Sequence, residues 1–494
     1  EFAAAYETTQ YNWQHTISFT NWVTTDLLEH PSEPLENEDL VSINPNHILS
    51  TDQFYAGLFA SYHIYPYYPD FLNYEEKYLE YVDFTGEKNN YTGYLNELIN
   101  SHKMPVLVAE FGVPSSRGLT HKNAFGMDQG FHSEEEQGEI NSKLFQSIVS
   151  EGYAGGLIFT WQDEWFKRTW NTMDFDNPDR TPFWNNQQTN EQHFGLLSFE
   201  PGTKESAILI DGKRMDWKEN NSKLIYRSKE NSETLNEVRI SSDNGYLYFL
   251  LSFTQPVDFA DEAVYVLLDT IEDQGQNNIK LSKEAILKTD LGVDFLINLL
   301  GPKNSTIMVD SYYDTYYYQY AHLLNMVKKE PYANQKNNGV FHPIRLALNK
   351  ELRIPTTNTI VPFEGYETGV LRFGNADPAD KVFDSLTDVS ISSDKRVIEM
   401  RIPWQLVNVK DPSLKEVMSD VWKSGLNKSE SIEGIRAAVM TTKHGKIKES
   451  IPRAVNNTIN MKDVYLYSWD EWEHPSYYER LKKSYQIIKE AFGT

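Results

Sequence analysis

The chain has no cysteine among its 494 residues. That excludes disulfides, thiolate nucleophiles and Cys-ligated zinc. It also has no apolar run approaching the ~18 residues that cross a bilayer as a helix. Positive charge is scarce: 46 Lys and Arg against 71 Asp and Glu leave a net charge of −25. A field of that sign repels phosphate backbones and anionic lipid surfaces, so no nucleic-acid partner is expected. The opening Glu-Phe-Ala-Ala-Ala-Tyr lacks the basic and apolar regions of a secretory signal. The expectation is a chain that has lost such a segment, or a piece of a longer protein.

Aromatic residues, by contrast, are abundant: 30 Tyr, 25 Phe and 11 Trp make up 13% of the chain. Aromatic faces with polar tips suit sugars, whose rings present apolar faces and a rim of hydroxyls. A tyrosine-rich core accounts for the same excess. At this length one hydrophobic core does not suffice, so two domains are expected.

Up to about residue 200, short apolar runs alternate with helical stretches, the pattern of βα units on a parallel sheet. Four strands are expected, over 17–22, 56–63, 105–112 and 154–161. Ser133 followed by Glu136 is a capping box, so a helix starts there and ends near Gly152. The third strand, Pro-Val-Leu-Val-Ala-Glu-Phe-Gly, is a continuous apolar run ending on Glu110. A carboxylate at the C-terminal end of a buried parallel strand sits where such sheets carry their chemistry. A bland alternative is an ion pair between Glu110 and Arg117 or Arg168.

After Gly202 the texture changes to alternating strands separated by turn residues, as in 246–253, 263–269 and 397–403. An antiparallel β-sandwich is expected. The stretch 283–345, nearly continuous in tyrosine over 312–320, is expected to be a long insert. The tail after Pro475 has apolar residues at helical spacing and is expected to pack back as a helix. The expected division is 1–203, 204–470 and 471–494.

The strand ends carry a resemblance. Asn21-Trp22, Tyr62-His63-Ile64-Tyr65-Pro66, Glu110-Phe111-Gly112 and Phe159-Thr160-Trp161 follow one another in the order of strands five to eight of a clan A glycoside hydrolase. The first 200 residues thus resemble the C-terminal half of such a (β/α)8, or TIM, barrel. The resemblance implies a retaining glycosidase with Glu110 as nucleophile, Tyr65 hydrogen-bonded to it and His63 beside it. It implies Trp161 as a sugar platform, with Asn21 and Trp22 nearby. Asp163, Glu164, Trp165 and Arg168, in the loop after the last strand, are expected substrate contacts, since loops on this face form subsites.

Retention needs a second carboxylate, roughly 5–5.5 Å from the first. In that clan it follows an Asn at the end of the fourth strand, and no such strand precedes Ile17. Asn37-Glu38, Asn96-Glu97, Asn190-Glu191 and Glu7 all fall elsewhere. The acid, with the upstream barrel half, is therefore expected in a longer precursor or another chain.

Ile210-Asp-Gly212, Asp216-Trp217, Leu268-Asp-Thr, Asp273-Gln-Gly275 and Arg401-Ile-Pro-Trp404 resemble family 9 carbohydrate-binding modules and DOMON-like sandwiches. No cofactor is expected. A structural Ca2+ on Asp269 and Asp273, or in the Asp174-x-Asp176 turn with Asp179, is the weaker alternative to solvated acidic turns. The whole layout resembles extracellular regions of bacterial surface proteins, some with a family 2 glycosyltransferase upstream, which implies an extracellular or cell-surface location. The expected function is hydrolysis, present or ancestral, of an extracellular polysaccharide. The alternatives are a noncatalytic carbohydrate-binding module and a structural segment of a surface protein.

Overall fold

The computed structural model describes residues 2–218, 221–228, 234–281 and 285–493. It is a mixed α/β structure with several sheets, one of them parallel. Helix α1 (Phe2–Tyr11) leads into β1 (Ile17–Trp22). A long connection with only short 3-10 turns reaches β2 (Leu58–His63). Helix α2 (Asn90–Asn100) then leads to β3 (Val106–Phe111), and α3 (Glu134–Ser150) to β4 (Gly156–Ile158). The four strands lie side by side in chain order, all parallel.

These elements follow from local sequence. The Ser133 hydroxyl accepts from the Glu136 N–H at 3.3 Å, and the Glu136 carboxylate accepts from the Ser133 N–H at 2.7 Å. The capping box is formed as expected. Three acidic residues in the first turn of α3 further suit the positive end of its dipole. On the helical side of the sheet, Ala60, Tyr62, Val106 and Val108 pack against Tyr91, Tyr94 and Leu95 of α2 and Leu144 and Ile148 of α3. Register aligns the strand ends, with Trp22 opposite His63 and His63 opposite Glu110. Gly112 is required just past β3, because a Cβ there would lie 2.7 Å from the Phe159 carbonyl oxygen.

The parallel sheet is open. β1 and β4 are its edges, and among the described residues no closed barrel is formed. Ile17, Phe19 and Trp22 on β1 and Leu157 on β4 are exposed.

The rest of the chain is dominated by two facing sheets. One has five strands, with Tyr246–Phe253 between Leu235–Ser242 and Val397–Pro403. The other is built around Glu262–Asp269, flanked by Phe295–Leu299 and Ile435–Lys443. Phe249, Leu251, Ile398 and Met400 of the first meet Val264, Val266, Ile297 and Val439 of the second in one core. The stretch 283–345 is not simply an insert. Phe295–Leu299, Thr306–Asp310 and Phe341–Pro343 are consecutive strands of the second sheet. Its tyrosines are mostly buried, which is why the run reads unlike a solvent-facing loop.

The tail is helical only from Lys483. Before that, Tyr477–Leu481 pairs antiparallel with Leu197–Pro201. Helix α4 (Lys483–Phe492) then packs on α3. The two helices approach closely at Gly138, where a Cβ would sit 2.7 Å from Ile487 Cδ1. No helix among the described residues is long and apolar enough to cross a membrane.

Candidate functional site

The C-terminal ends of β1, β2 and β3 open on a cavity of about 440 Å³. Trp22, His63, Tyr65 and Glu110 line it, together with Tyr67, Tyr68, His121, Gln129, Phe159, Lys167 and Glu191. The size and the mixture of aromatic walls with a few polar groups are those of a small-ligand site.

Glu110 is the penultimate residue of β3, its side chain about 29% exposed. Its Oε2 accepts a hydrogen bond from the Tyr65 hydroxyl at 2.9 Å. His63 Nδ1 lies 3.1 Å from the same oxygen, close but not aligned as a hydrogen bond. Burial, and then the adjacent Glu110 carboxylate, lift the Tyr65 phenol well above its ordinary value. It therefore stays protonated and acts as a donor. Trp22 leans over this pair, its ring 5.3 Å from His63 and stacked 6.4 Å from Tyr65. Asn21 is buried behind it, accepting from the Trp22 N–H at 2.9 Å and donating to the Thr25 carbonyl at 2.7 Å. That side chain shapes the turn and does not face the cavity.

The opposite wall comes from the loops after β3 and β4. Burial pushes the His121 imidazole down, so it is neutral. Its Nδ1 is 2.6 Å from Gln129 Oε1, an acceptor, which puts the proton on Nδ1. The Gln129 amide in turn donates to Glu191 Oε1 at 2.6 Å. Lys167 Nζ stands 4.1 Å over the Phe159 ring, 3.1 Å from Glu164 and 3.6 Å from Glu191 Oε2. Burial lifts the Glu191 carboxyl above the usual carboxylate range, outweighing the pull of Lys167.

Of the residues singled out from sequence, Glu110, His63, Tyr65 and Trp22 come together. The others do not line the cavity. Trp161 is 54% exposed and meets Tyr485 of α4 edge-on at 6.0 Å. Phe159, two residues earlier, takes the wall instead, because the chain turns away after β4. Asp163 is buried, 2.7 Å from Lys482 and 3.0 Å from the Gly195 N–H. Trp165 is buried with its ring edge-on to Tyr477 at 6.1 Å. Arg168 holds Asp176 at 2.7 Å. Glu164 reaches the site only through Lys167. Arg117, the bland partner for Glu110, is buried against Asp388 at 3.0 Å.

Among the described residues no group of three or more His, Asp or Glu side chains is arranged to hold a metal ion. Asp174 accepts from Gln319 at 2.5 Å. In the sandwich, Trp217 and Trp404 are core residues, buried to 5% and 0% exposure.

No family model and no curated protein matches the chain. Among solved structures, a Bacteroides uniformis beta-glucuronidase crystal structure is similar at 13% identity. The match covers 60% of this chain and 28% of that one, with a TM-score of 0.19. At that score the likeness carries no statement about fold or activity.

Sequence reasoning missed Tyr67, Tyr68, His121, Gln129 and Lys167, quoted Phe159 only as part of the motif ending in Trp161, and set Glu191 aside. Asn190-Glu191 was visible as a pair but falls after the last parallel strand. Only the return of that segment over the strand ends brings it to Glu110's cavity.

Proposed function

We propose that this cavity binds a carbohydrate and hydrolyses its glycosidic bond with retention, Glu110 acting as nucleophile. The observation that carries this reading is the Glu110 carboxylate at the cavity wall, oriented by the Tyr65 hydroxyl at 2.9 Å with His63 Nδ1 nearby at 3.1 Å. A carboxylate held by a hydrogen-bond donor is kept aimed, as attack on an anomeric carbon requires. Trp22 offers the exposed aromatic face on which a sugar ring lies. The resemblance of the strand ends supplies the substrate class, an extracellular polysaccharide. It also suggests that further strands, from a longer precursor or another chain, pair with the open edges β1 and β4.

The test is covalent trapping with 2-deoxy-2-fluoro glycosyl inhibitors of several sugar configurations. One adduct per chain, mapped to the peptide holding Glu110, is the expected result. Absence of an adduct across the panel, with oligosaccharide binding retained, supports the noncatalytic binding module instead.

Tyr65→Phe keeps the ring and removes one charge-assisted hydrogen bond, worth about 1.5–3 kcal/mol. We expect kcat/KM to fall between roughly tenfold and 100-fold, measured on whichever aryl glycoside the wild type turns over. A change below about twofold would remove Tyr65 from the mechanism.

A further inference from the structure

The two carboxylates that line the cavity, Glu110 and Glu191, come from segments far apart in the chain, and only one has a role in the reading above. Glu191 lies in the 3-10 turn Asn190–His193. Its neighbours are tied down. Asn190 is fully buried, its amide donating to Thr120 Oγ1 and the Gln129 carbonyl. Gln192 is buried, donating to the Trp165 and Lys167 carbonyls and accepting from the Asn186 N–H. His193 is buried with Nε2 at 3.1 Å from the Asn186 carbonyl. A turn anchored on both sides thus presents a single side chain, a carboxylate, to the cavity that Glu110 lines.

We propose that Glu191 is the second carboxylate of this cleft, donating a proton to the departing glycosidic oxygen and then accepting one from the incoming water. The inference rests on the reading of Glu110 as nucleophile. It moves the acid from outside the chain, where sequence alone put it, to a loop within it.

The surroundings of Glu191 fit the task. A general acid must hold its proton near neutral pH, and burial disfavours its charged form. One ammonium, Lys167, is shared between Glu164 and Glu191 and lies closer to Glu164. Two carboxylates against one cation leave an excess of negative charge, and the Glu164 charge beside Glu191 favours its protonated form. The neutral His121, through Gln129, fixes Glu191 Oε1 as an acceptor of one N–H. Its Oε2, which takes no such hydrogen bond and stands 3.6 Å from Lys167 Nζ, is the oxygen left to carry the transferable proton.

The steps balance. A Glu110 oxygen bonds to the anomeric carbon as the carbon–oxygen bond to the leaving group breaks, and the proton of Glu191 goes to that oxygen. A glycosyl ester on Glu110 and an ionised Glu191 remain. Water then attacks the anomeric carbon, its proton returns to Glu191, and Glu110 departs as a carboxylate.

The test uses the full chain and two leaving groups. A 2,4-dinitrophenolate departs without protonation, whereas a 4-methylumbelliferyl group benefits from an acid. Glu191→Gln is expected to lose on the order of 100-fold or more in turnover of 4-methylumbelliferyl glycosides. It should label Glu110 with the dinitrophenyl 2-deoxy-2-fluoro glycoside as fast as the wild type. Glu191→Ala must show the same split, with turnover of the dinitrophenyl glycoside accelerated by azide through a glycosyl azide product. If both variants lose equally on both leaving groups, or lose nothing, the assignment of Glu191 is overturned while Glu110 stands. If the wild type is never labelled, Glu110 falls and the inference falls with it.

Discussion

Glu110→Gln is expected to lower kcat/KM on the order of 10⁴-fold, the scale seen when a nucleophilic unit loses a member. Glutamine has the same shape, and its carbonyl oxygen can still accept from the Tyr65 hydroxyl. What it cannot do is attack a carbon and leave again as a stable anion. Because the side chain is partly exposed and sits at a strand end, the thermal midpoint should stay within a degree or two of wild type. Oligosaccharide binding, followed by intrinsic tryptophan fluorescence from Trp22, should also survive. Glu110→Ala opens a space beside the anomeric carbon, and azide should restore turnover with the opposite anomer as product. Residual activity within tenfold of wild type in both variants would mean that another group performs the attack.

The second large effect concerns stability. Lys482 and Asp163 have side chains only 3% and 1% exposed and meet at 2.7 Å. Lys482 also donates to Ser115 Oγ and the His193 carbonyl, both at 3.1 Å. It therefore pins the C-terminal strand and α4 to the loops that carry Asp163 and Glu191. Lys482→Met removes the cation and leaves a buried carboxylate unpaired, at a cost of about 3–5 kcal/mol. Chemical denaturation at neutral pH measures it.

The pH dependence has a definite sign. Burial pushes the Asp163 carboxyl up, but Lys482 and then His193 pull it further down, so the folded group titrates below the ordinary aspartate value. Its stabilising contribution is complete above the unfolded value, about 4, and is lost as pH falls through the lower folded value. In Lys482→Met only His193 and the Gly195 N–H still oppose burial, so the carboxyl titrates higher than in the wild type. The gap between wild type and variant should then widen as pH rises and narrow in acid. Adding Asp163→Asn to the variant should recover part of the loss. A penalty below about 1 kcal/mol, or one independent of pH, would show that the pair is solvated.

Much of the parallel sheet was legible because each strand is a local apolar run, and α3 carries its own start signal at Ser133 and Glu136. Glu110 could be named because a side chain near a strand's C-terminal end points to the sheet's chemistry-bearing edge, whereas His63 and Tyr65 were implied by the resemblance of the strand ends. Trp161 could not be told from Phe159 in this way, since the chain leaves the strand direction after β4. Asp163 was equally opaque. Its partner, Lys482, lies 319 residues away. The run 312–320 looked like decoration because its burial depends on strands before and after it that no local pattern pairs.

The sequence by itself determined which segments become parallel strands, in what order, and that a carboxylate stands at the end of the third. Local hydrophobic patterning and capping chemistry carry that information. Only the tertiary structure decided which other groups share that carboxylate's cavity. Gln129 and Glu191 are 62 residues apart and Tyr65 and Glu110 are 45 apart. Contacts of that kind are set by strand register and by how loops are tied down, and neither is written in any single stretch of chain.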